Sequence, residues 1–408
     1  MPGSDSFARV LSMAREHGAP LDPPPEYALL RREAPVTRVS LWDGRATPWL
    51  VTRWEDARAV LSAQGVSSRG PRPGFLTEET PPMPPGYFFA QDDPIHGKFR
   101  RAVTREFLVK RIEALREPTE LIFGELLDAM IDAGSPADFV AAVALPLPSR
   151  VICTMLGVPY ADHDFFQSHS KTLMESTATG EEKTAAHVAL GDYLERLVED
   201  RRRRPADDLV SRLGEQVDAG VFSVRDAADT ASFLLFAGHE TTANMISLAV
   251  LALLEHPGQL PQLYAGPADL ANAVEELLRW ATIAHTGLTR TALEDITVGG
   301  VTIRAGEPII IALNSANRDQ EAFSDADALD LARANARRHI AFGHGIHQCL
   351  GQPLARMELQ VVLPMVFRRL PDLRIAPGAE VTFKDTSAAY GASYMPVTWS
   401  VPGQLKGA

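Results

Sequence analysis

Cysteine is scarce in this chain: among 408 residues only Cys153 and Cys349 occur. Two cysteines give no disulfide framework and suit a reducing compartment, so a disulfide-built secreted scaffold is excluded and a cytoplasmic protein is expected. Positive charge is short as well. The 40 Lys and Arg stand against 52 Asp and Glu, a net charge of −12, which argues against a nucleic-acid partner. The most apolar segment, Ala231 to Leu254, is broken in its middle by GHETTAN, so no membrane span is expected. The opening stretch, MPGSDSFARVLSMAREHGAP, lacks the apolar centre of a signal peptide or anchor. Internal repeats, flexible linkers and a Cys-x-x-Cys-His site are missing too. What remains, 45% apolar and 23% charged residues, is the composition of an ordinary globular protein.

Along the chain, YALLRRE and WEDARAVLS read as helices. Between them VTRVSLW and PWLVTR read as strands joined by a turn at Asp43–Gly44. Prolines dominate Ser67 to Gln91 and forbid regular structure there. The stretch nevertheless carries Phe75, Leu76, Met83, Tyr87, Phe88 and Phe89, so it is either a lid over a binding site or a loop pinned to the core by its aromatics. Asp92 or Asp93 then caps a helix on which His96 and Arg100 share a face. Residues 113–222 read as helical, with breaks at Gly134–Pro136, Pro146/Pro148, Gly157–Pro159 and Pro205. Cys153, in RVICTMLGV, reads as a small core residue.

The longest helical pattern runs from Ser223 to His256. Ser223 and Asp226 form a capping box, and Pro257–Gly258 stops the helix. Its centre holds Ala237, Gly238, His239, Glu240, Thr241 and Thr242. Thr hydroxyls bond back to the carbonyl one turn earlier, so a bend or bulge is expected here. Glu276 and Arg279 lie three apart on one face of a later helix, a spacing that usually means a weak surface pair. The stretch 289–313 reads as strands with a Gly299–Gly300 turn, and Val381 to Trp399 as a hairpin.

The second cysteine sits in FGHGIHQCLG, Phe342 to Gly351, where a glycine-rich loop enters a helix. Unpaired amides and the positive end of the helix dipole favour a thiolate there. On this stretch alone, a structural cysteine and a zinc site of His344, His347 and Cys349 both stay open. The stretch resembles the haem-binding signature of the cytochrome P-450 superfamily, Phe-x-x-Gly-x-His-x-Cys-x-Gly, at Phe342, Gly345, His347, Cys349 and Gly351. Glu240–Thr241 is similar to the superfamily's acid–alcohol pair, and Glu276–Arg279 to its Glu-x-x-Arg motif. The resemblance spans essentially the whole chain and is strongest to soluble actinobacterial members.

That resemblance implies a mainly α fold with small β-sheets (α+β), a long central helix lying over a haem and a Cys-ligand loop beneath it. One domain would cover residues 1–408, with a β-rich subregion at about 35–53, 289–313 and 381–400. Cys349 would be the axial thiolate of haem b. His96, Arg100, Arg290 and His347 would hold the propionates, and Phe342, Gly343, Ala237 and Gly238 would line the cofactor. Thr241 and Glu240 would deliver protons on the opposite face of the haem, and Glu276, Arg279 and Arg333 would form a structural network behind it. The substrate pocket would be lined by Phe75, Tyr87, Phe88, Phe89, Phe233, Leu234, His285, Thr286, Leu288 and Tyr390, and suits a medium-sized hydrophobic molecule. The implied activity is monooxygenation with O2. Electrons would come from a ferredoxin and its reductase, because no flavin or iron–sulfur motif is present. The ferredoxin would dock on a basic face of Arg101, Arg105, Lys110, Arg111, Arg337, Arg338 and Arg356. The protein is expected to act as a monomer. The rival expectation is a haem-thiolate enzyme that does not oxygenate, driven by peroxide or reducing nitrogen oxides.

Overall fold

The computed structural model describes residues 9–10, 14–41, 46–69, 83–175 and 177–400. The Asp43–Gly44 turn, Phe75, Leu76 and most of the Pro-rich stretch lie outside them. The first part of the chain alternates short strands and helices: β1 (Arg9–Val10), α1 (Glu26–Glu33), β2 (Val36–Ser40), β3 (Trp49–Val51), α2 (Trp54–Ser62) and β4 (Val66–Ser67). A helical tract follows with α3 (Ile95–Thr104), α4 (Val109–Glu113), α5 (Arg116–Ala133), a strand β5 (Ala137–Asp138), α6 (Pro146–Leu156), α7 (His163–Met174), α8 (Gly180–Arg203), α9 (Leu209–Asp218) and α10 (Val224–Glu255). Next, α11 (Pro267–Trp280) leads into β6 (Leu288–Ala292), β7 (Ile296–Val298), β8 (Val301–Ile303), β9 (Pro308–Ile311) and α12 (Leu313–Ala316). Last come α13 (Gln352–Arg369), β10 (Arg374–Ile375), β11 (Thr382–Phe383), β12 (Ala392–Tyr394) and β13 (Pro396–Thr398).

Local signals set many of these boundaries. Ser223 caps α10 with a reciprocal Asp226 bond, and Thr179 caps α8 with Glu182 in the same way. α6 ends on Gly157 at φ +83°, a left-handed position that only glycine adopts cheaply. α3 starts one residue later than expected. Pro94 is its N-cap, and Asp93, not Asp92, accepts the first-turn amide of Gly97 at 2.8 Å. Asp92 instead holds Ser67 and the amide of Ser68, anchoring the loop before α3.

Six strands form one sheet in the order β1-β2-β3-β9-β6-β4. β2 and β3 pair antiparallel, as their hairpin pattern demands, and β3 pairs parallel with β9 through Val51 and Ile311. Residues about 36–51 and 288–311 thus meet in one sheet. The tail does not join it. β11 and β12 make a short irregular hairpin, while β13 leaves to pair with β10 and β5. The expected β-rich subregion is therefore divided among separate sheets, because the tail strands pair with one another and with β5 and not with the large sheet.

α10 is the axis of the main core. It runs for 32 residues, about 50 Å, against α6, α8 and α9. Between Ala227 and Leu253 nearly every residue is buried, which is why the helix is apolar almost all round. Thr241 bonds back to Ala237 O at 2.8 Å, and α10 runs through this point as one continuous helix. No helix among the described residues is long and apolar enough to cross a membrane.

Candidate active site

The cysteine loop is built by two glycines in left-handed conformation, Gly343 (φ +73°) and Gly345 (φ +75°). A side chain on Gly345 would also strike the carbonyl of Leu61 at the end of α2. The loop closes on itself where the Cys349 amide donates to Phe342 O at 2.9 Å. Cys349 keeps an accessible side chain. Desolvation pushes the thiol above its ordinary pKa, against the pull of the Gly351 and Gln352 amides and of Arg100 and Arg356. The loop's amides thus favour the thiolate, as its place at a helix start predicts, while desolvation opposes them. A metal cation bound at the sulfur would supply the missing charge.

Next to this loop four basic side chains converge. The His96 and His347 rings stand 4.1 Å apart. Arg100 donates to Gln348 O at 2.7 Å, and buried Arg290 donates to Thr289 O at 2.8 Å. Burial, then His96, Arg290 and Arg100, push His347 down to about 3, and burial pushes Arg290 to about 10. The nearest carboxylate, Asp93, lies 3.4 Å from His96 Nδ1, and the buried His96 Nε2 has no hydrogen-bond partner. Basic groups that depress one another and leave a buried donor unanswered fit an anionic ligand. The two propionates of a haem meet that demand, beside a cysteine whose sulfur needs a cation.

The zinc alternative fails on geometry. No group of three His, Cys, Asp or Glu side chains gathers as a metal-ion site among the described residues. His344 turns to Arg58, with 3.4 Å between ring and guanidinium nitrogens, while His347 lies against His96 with the rings tilted by 41°.

On α10 the burial pattern opens at one place. Within 227–253 only Phe233, Phe236, Ala237, Gly238 and Thr241 keep accessible surface. Residues 233, 237 and 241 lie four apart on one face. Gly238 faces elsewhere: a Cβ there would lie 2.7 Å from Ile152 of α6, so its smallness serves helix packing. Glu240 is buried in an ion pair with Lys384, which also donates to Asn244 Oδ1 at 2.7 Å. Asn244 in turn donates to Ala389 O at 3.0 Å. The acid of the expected proton relay is thus tethered by a lysine that no local pattern in the sequence singles out.

The residues expected around the pocket divide. Tyr87 is buried with its hydroxyl 2.8 Å from Ser232 Oγ, Phe88 meets Phe233 edge-on, and exposed Phe89 stacks on Phe233 at 5.1 Å. The described end of the Pro-rich loop is therefore pinned by its aromatics. Thr286 and Leu288 are half-buried. Leu234 is buried in the core. His285 and Tyr390 are also packed away. His285 Nε2 lies 3.1 Å from Asp385 O, and Tyr390 is covered by the Arg15 guanidinium at 3.8 Å and stacked on Phe383. Arg15, from the N-terminal stretch, thus covers the Tyr390 ring. Phe75 lies outside the described residues.

The Glu-x-x-Arg pair is not a surface bridge. Glu276 and Arg279 are fully buried and joined by two bonds of 2.7 Å, and Arg333 donates to the same carboxylate at 2.9 Å. The remaining guanidinium donors reach the carbonyls of Asn317, Ala326 and Ala328, which fixes the irregular stretch before the cysteine loop. Arg356 leaves the expected basic face, because it is bound to Glu275.

Comparison with known proteins agrees with this geometry. The sequence profile of the family "Cytochrome P450" matches residues 270–389. Cytochrome P450-SU2 of Streptomyces griseolus is 47% identical over 401 residues, covering 96% of this chain and 97% of that protein. The 20-oxo-5-O-mycaminosyltylactone 23-monooxygenase of Streptomyces fradiae is 42% identical, with 93% and 90% covered. The crystal structure of CYP105P1 in complex with filipin I superposes with a TM-score of 0.89 at 38% identity, over 96% of this chain and 99% of that one. The chain belongs to the cytochrome P450 family and is a haem b monooxygenase that uses O2, electrons from redox partners and a small-molecule substrate.

Proposed function

We propose that this monooxygenase hydroxylates or epoxidises a medium-sized hydrophobic metabolite, with Cys349 as the axial thiolate and ferredoxin as the electron donor. The observation that carries the site assignment is the basic cluster of His96, Arg100, Arg290 and His347 against the loop of Cys349, with a buried donor left unanswered. When bound, the haem supplies the activation of dioxygen; the protein supplies position, protons and exclusion of water. The amides of Gly351 and Gln352 share the charge of the Cys349 sulfur. Thr241 Oγ1, now donating to Ala237 O, holds a proton at the accessible face of α10. Glu240, the next residue, is the carboxylate of the pair and is held in place by Lys384. The intact acid–alcohol pair favours oxygenation over the peroxide-driven and nitrogen-oxide-reducing alternatives.

The substrate class follows from the same face. Phe233, Phe236 and Ala237 offer an apolar wall with few polar handles, as a hydrophobic ring system requires. A relative named for 20-oxo-5-O-mycaminosyltylactone and a neighbour solved with filipin I support a secondary metabolite of comparable size. A xenobiotic of that size is the second use of such a pocket. The proposed donor surface comprises Arg101, Arg105, Lys110, Arg111, Arg337 and Arg338, all exposed. Exposed basic groups suit a small acidic ferredoxin, and the protein would work as a cytoplasmic monomer.

The absorption spectrum of the reduced protein with carbon monoxide tests the ligand. A strongly red-shifted Soret band, lost in Cys349→Ser, is the expected result. A Soret band at the imidazole- or thiol-ligated position in the parent protein would sink the assignment.

A further inference from the structure

α11 carries two adjacent buried glutamates that serve opposite sides. Glu276 serves Arg279 and Arg333, as described. Glu275 is 5% exposed and reaches the two stems of the cysteine loop. His339 Nε2 lies 2.9 Å from Glu275 Oε2, three residues before Phe342. Arg356, seven residues after Cys349, donates to both oxygens at 2.7 and 3.0 Å. The Ala341 amide donates to His339 Nδ1 at 3.0 Å, so the ring proton sits on Nε2 and points at Glu275. The cluster thus joins one carboxylate to an imidazole on one stem and a guanidinium on the other. Arg356 also lies over the Phe342 ring at 4.6 Å, and Phe342 O accepts the Cys349 amide. Burial raises the Glu275 carboxyl, but the bonds from His339 and Arg356 outweigh it and hold the group down to about 2.

We propose that Glu275 is a positioning residue that clamps both stems of the loop and thereby keeps the Cys349 sulfur in register as a thiolate ligand. The inference rests on Cys349 being the haem ligand. Its physical basis is geometric: the sulfur's position follows from the two stems, one running from His339 to Phe342, whose carbonyl accepts the Cys349 amide, and the other from Cys349 to Arg356 over the Phe342 ring. The clamp ties residues on both sides of the loop to one helix, so the loop cannot open without breaking a buried ion pair.

The test is the ferrous–carbon monoxide spectrum of Glu275→Gln, Arg356→Lys and His339→Ala holoenzymes, followed during mild heating. The clamp predicts that conversion from the red-shifted Soret band to the thiol-type band is at least tenfold faster in each variant, at temperatures where circular dichroism still shows a folded protein. In the haem-free protein, the amides of Ala341 and Cys349 should exchange at least tenfold faster. Parent-like conversion and exchange in the variants would overturn the proposal. Should Glu275→Gln fail to fold, Arg356→Lys and His339→Ala decide it, since each removes one arm and leaves the carboxylate paired. A parent protein without the red-shifted band would defeat the ligand assignment itself, which separates the two failures.

Discussion

At the scale of single residues, burial decides which polar groups are free to act. His285 looks like a substrate handle in the sequence, but in the fold it is a core group. One nitrogen meets Asp385 O, the other has no partner, and the ring stands 5.1 Å from that of Tyr390. Burial, then Arg15, depress its pKa to about 4. In the unfolded chain it titrates near 6.5. Between those values the unfolded chain holds a proton that the folded protein refuses. Stability is complete above pH 6.5 and falls as pH drops toward 4, by up to about 3 kcal/mol for this one group. His285→Gln keeps a donor for Asp385 and removes the titration. Denaturant unfolding at pH 7 and pH 4.5 should show a smaller acid loss in the variant, by about 2 kcal/mol. Equal losses would show that the ring does not titrate in this window. His187, also held to about 4 by burial, adds a similar slope that the substitution leaves in place.

At the scale of elements, helix ends and turns are legible because their causes lie within a few residues. Ser223 with Asp226, Thr179 with Glu182 and the paired glycines at 299–300 need no distant partner. The signature string around Cys349 is legible for the same reason. Partners across the fold are not. Lys384 follows a two-residue strand and carries no mark that it meets Glu240, and Glu275 looks like its neighbour Glu276 until α11 is packed. Gly238 is a further instance. In the signature it looks like room for a cofactor, whereas in the structure it is room for Ile152. Two effects compete when Ala replaces it. Helix propensity gains about 1 kcal/mol, while forcing a Cβ to 2.7 Å from Ile152 Cγ1 costs on the order of 1–3 kcal/mol. The clash should win, so Gly238→Ala is expected to lower the thermal midpoint. In an Ile152→Ala background the sign should reverse, because only the propensity gain remains. A double-mutant cycle without coupling would show that Gly238 is small for another reason.

At the scale of the molecule, the site is assembled from residues 96–100, 237–241, 276–290 and 342–351. Their order was readable, but their meeting depends on tertiary packing such as the β3–β9 pairing, which ties early chain to late. The same assembly sets the electrostatics. A protein of net charge −12 should repel an acidic partner in general, so a productive encounter depends on the local basic face. Arg100 ties α3 to the cysteine loop, and Arg101 and Arg105 after it are exposed. Arg356, bound to Glu275, is not free to contribute. The double variant Arg101→Glu with Arg105→Glu should slow ferredoxin-driven turnover at least tenfold at low salt, chiefly through weaker association. Raising ionic strength should slow the parent and narrow the gap, since the Debye length shrinks to about 8 Å near physiological salt. The carbon monoxide spectrum and the substrate-induced spin shift should stay as in the parent, because neither side chain touches the site. Turnover that is indifferent both to these charges and to salt would place the donor elsewhere on the surface.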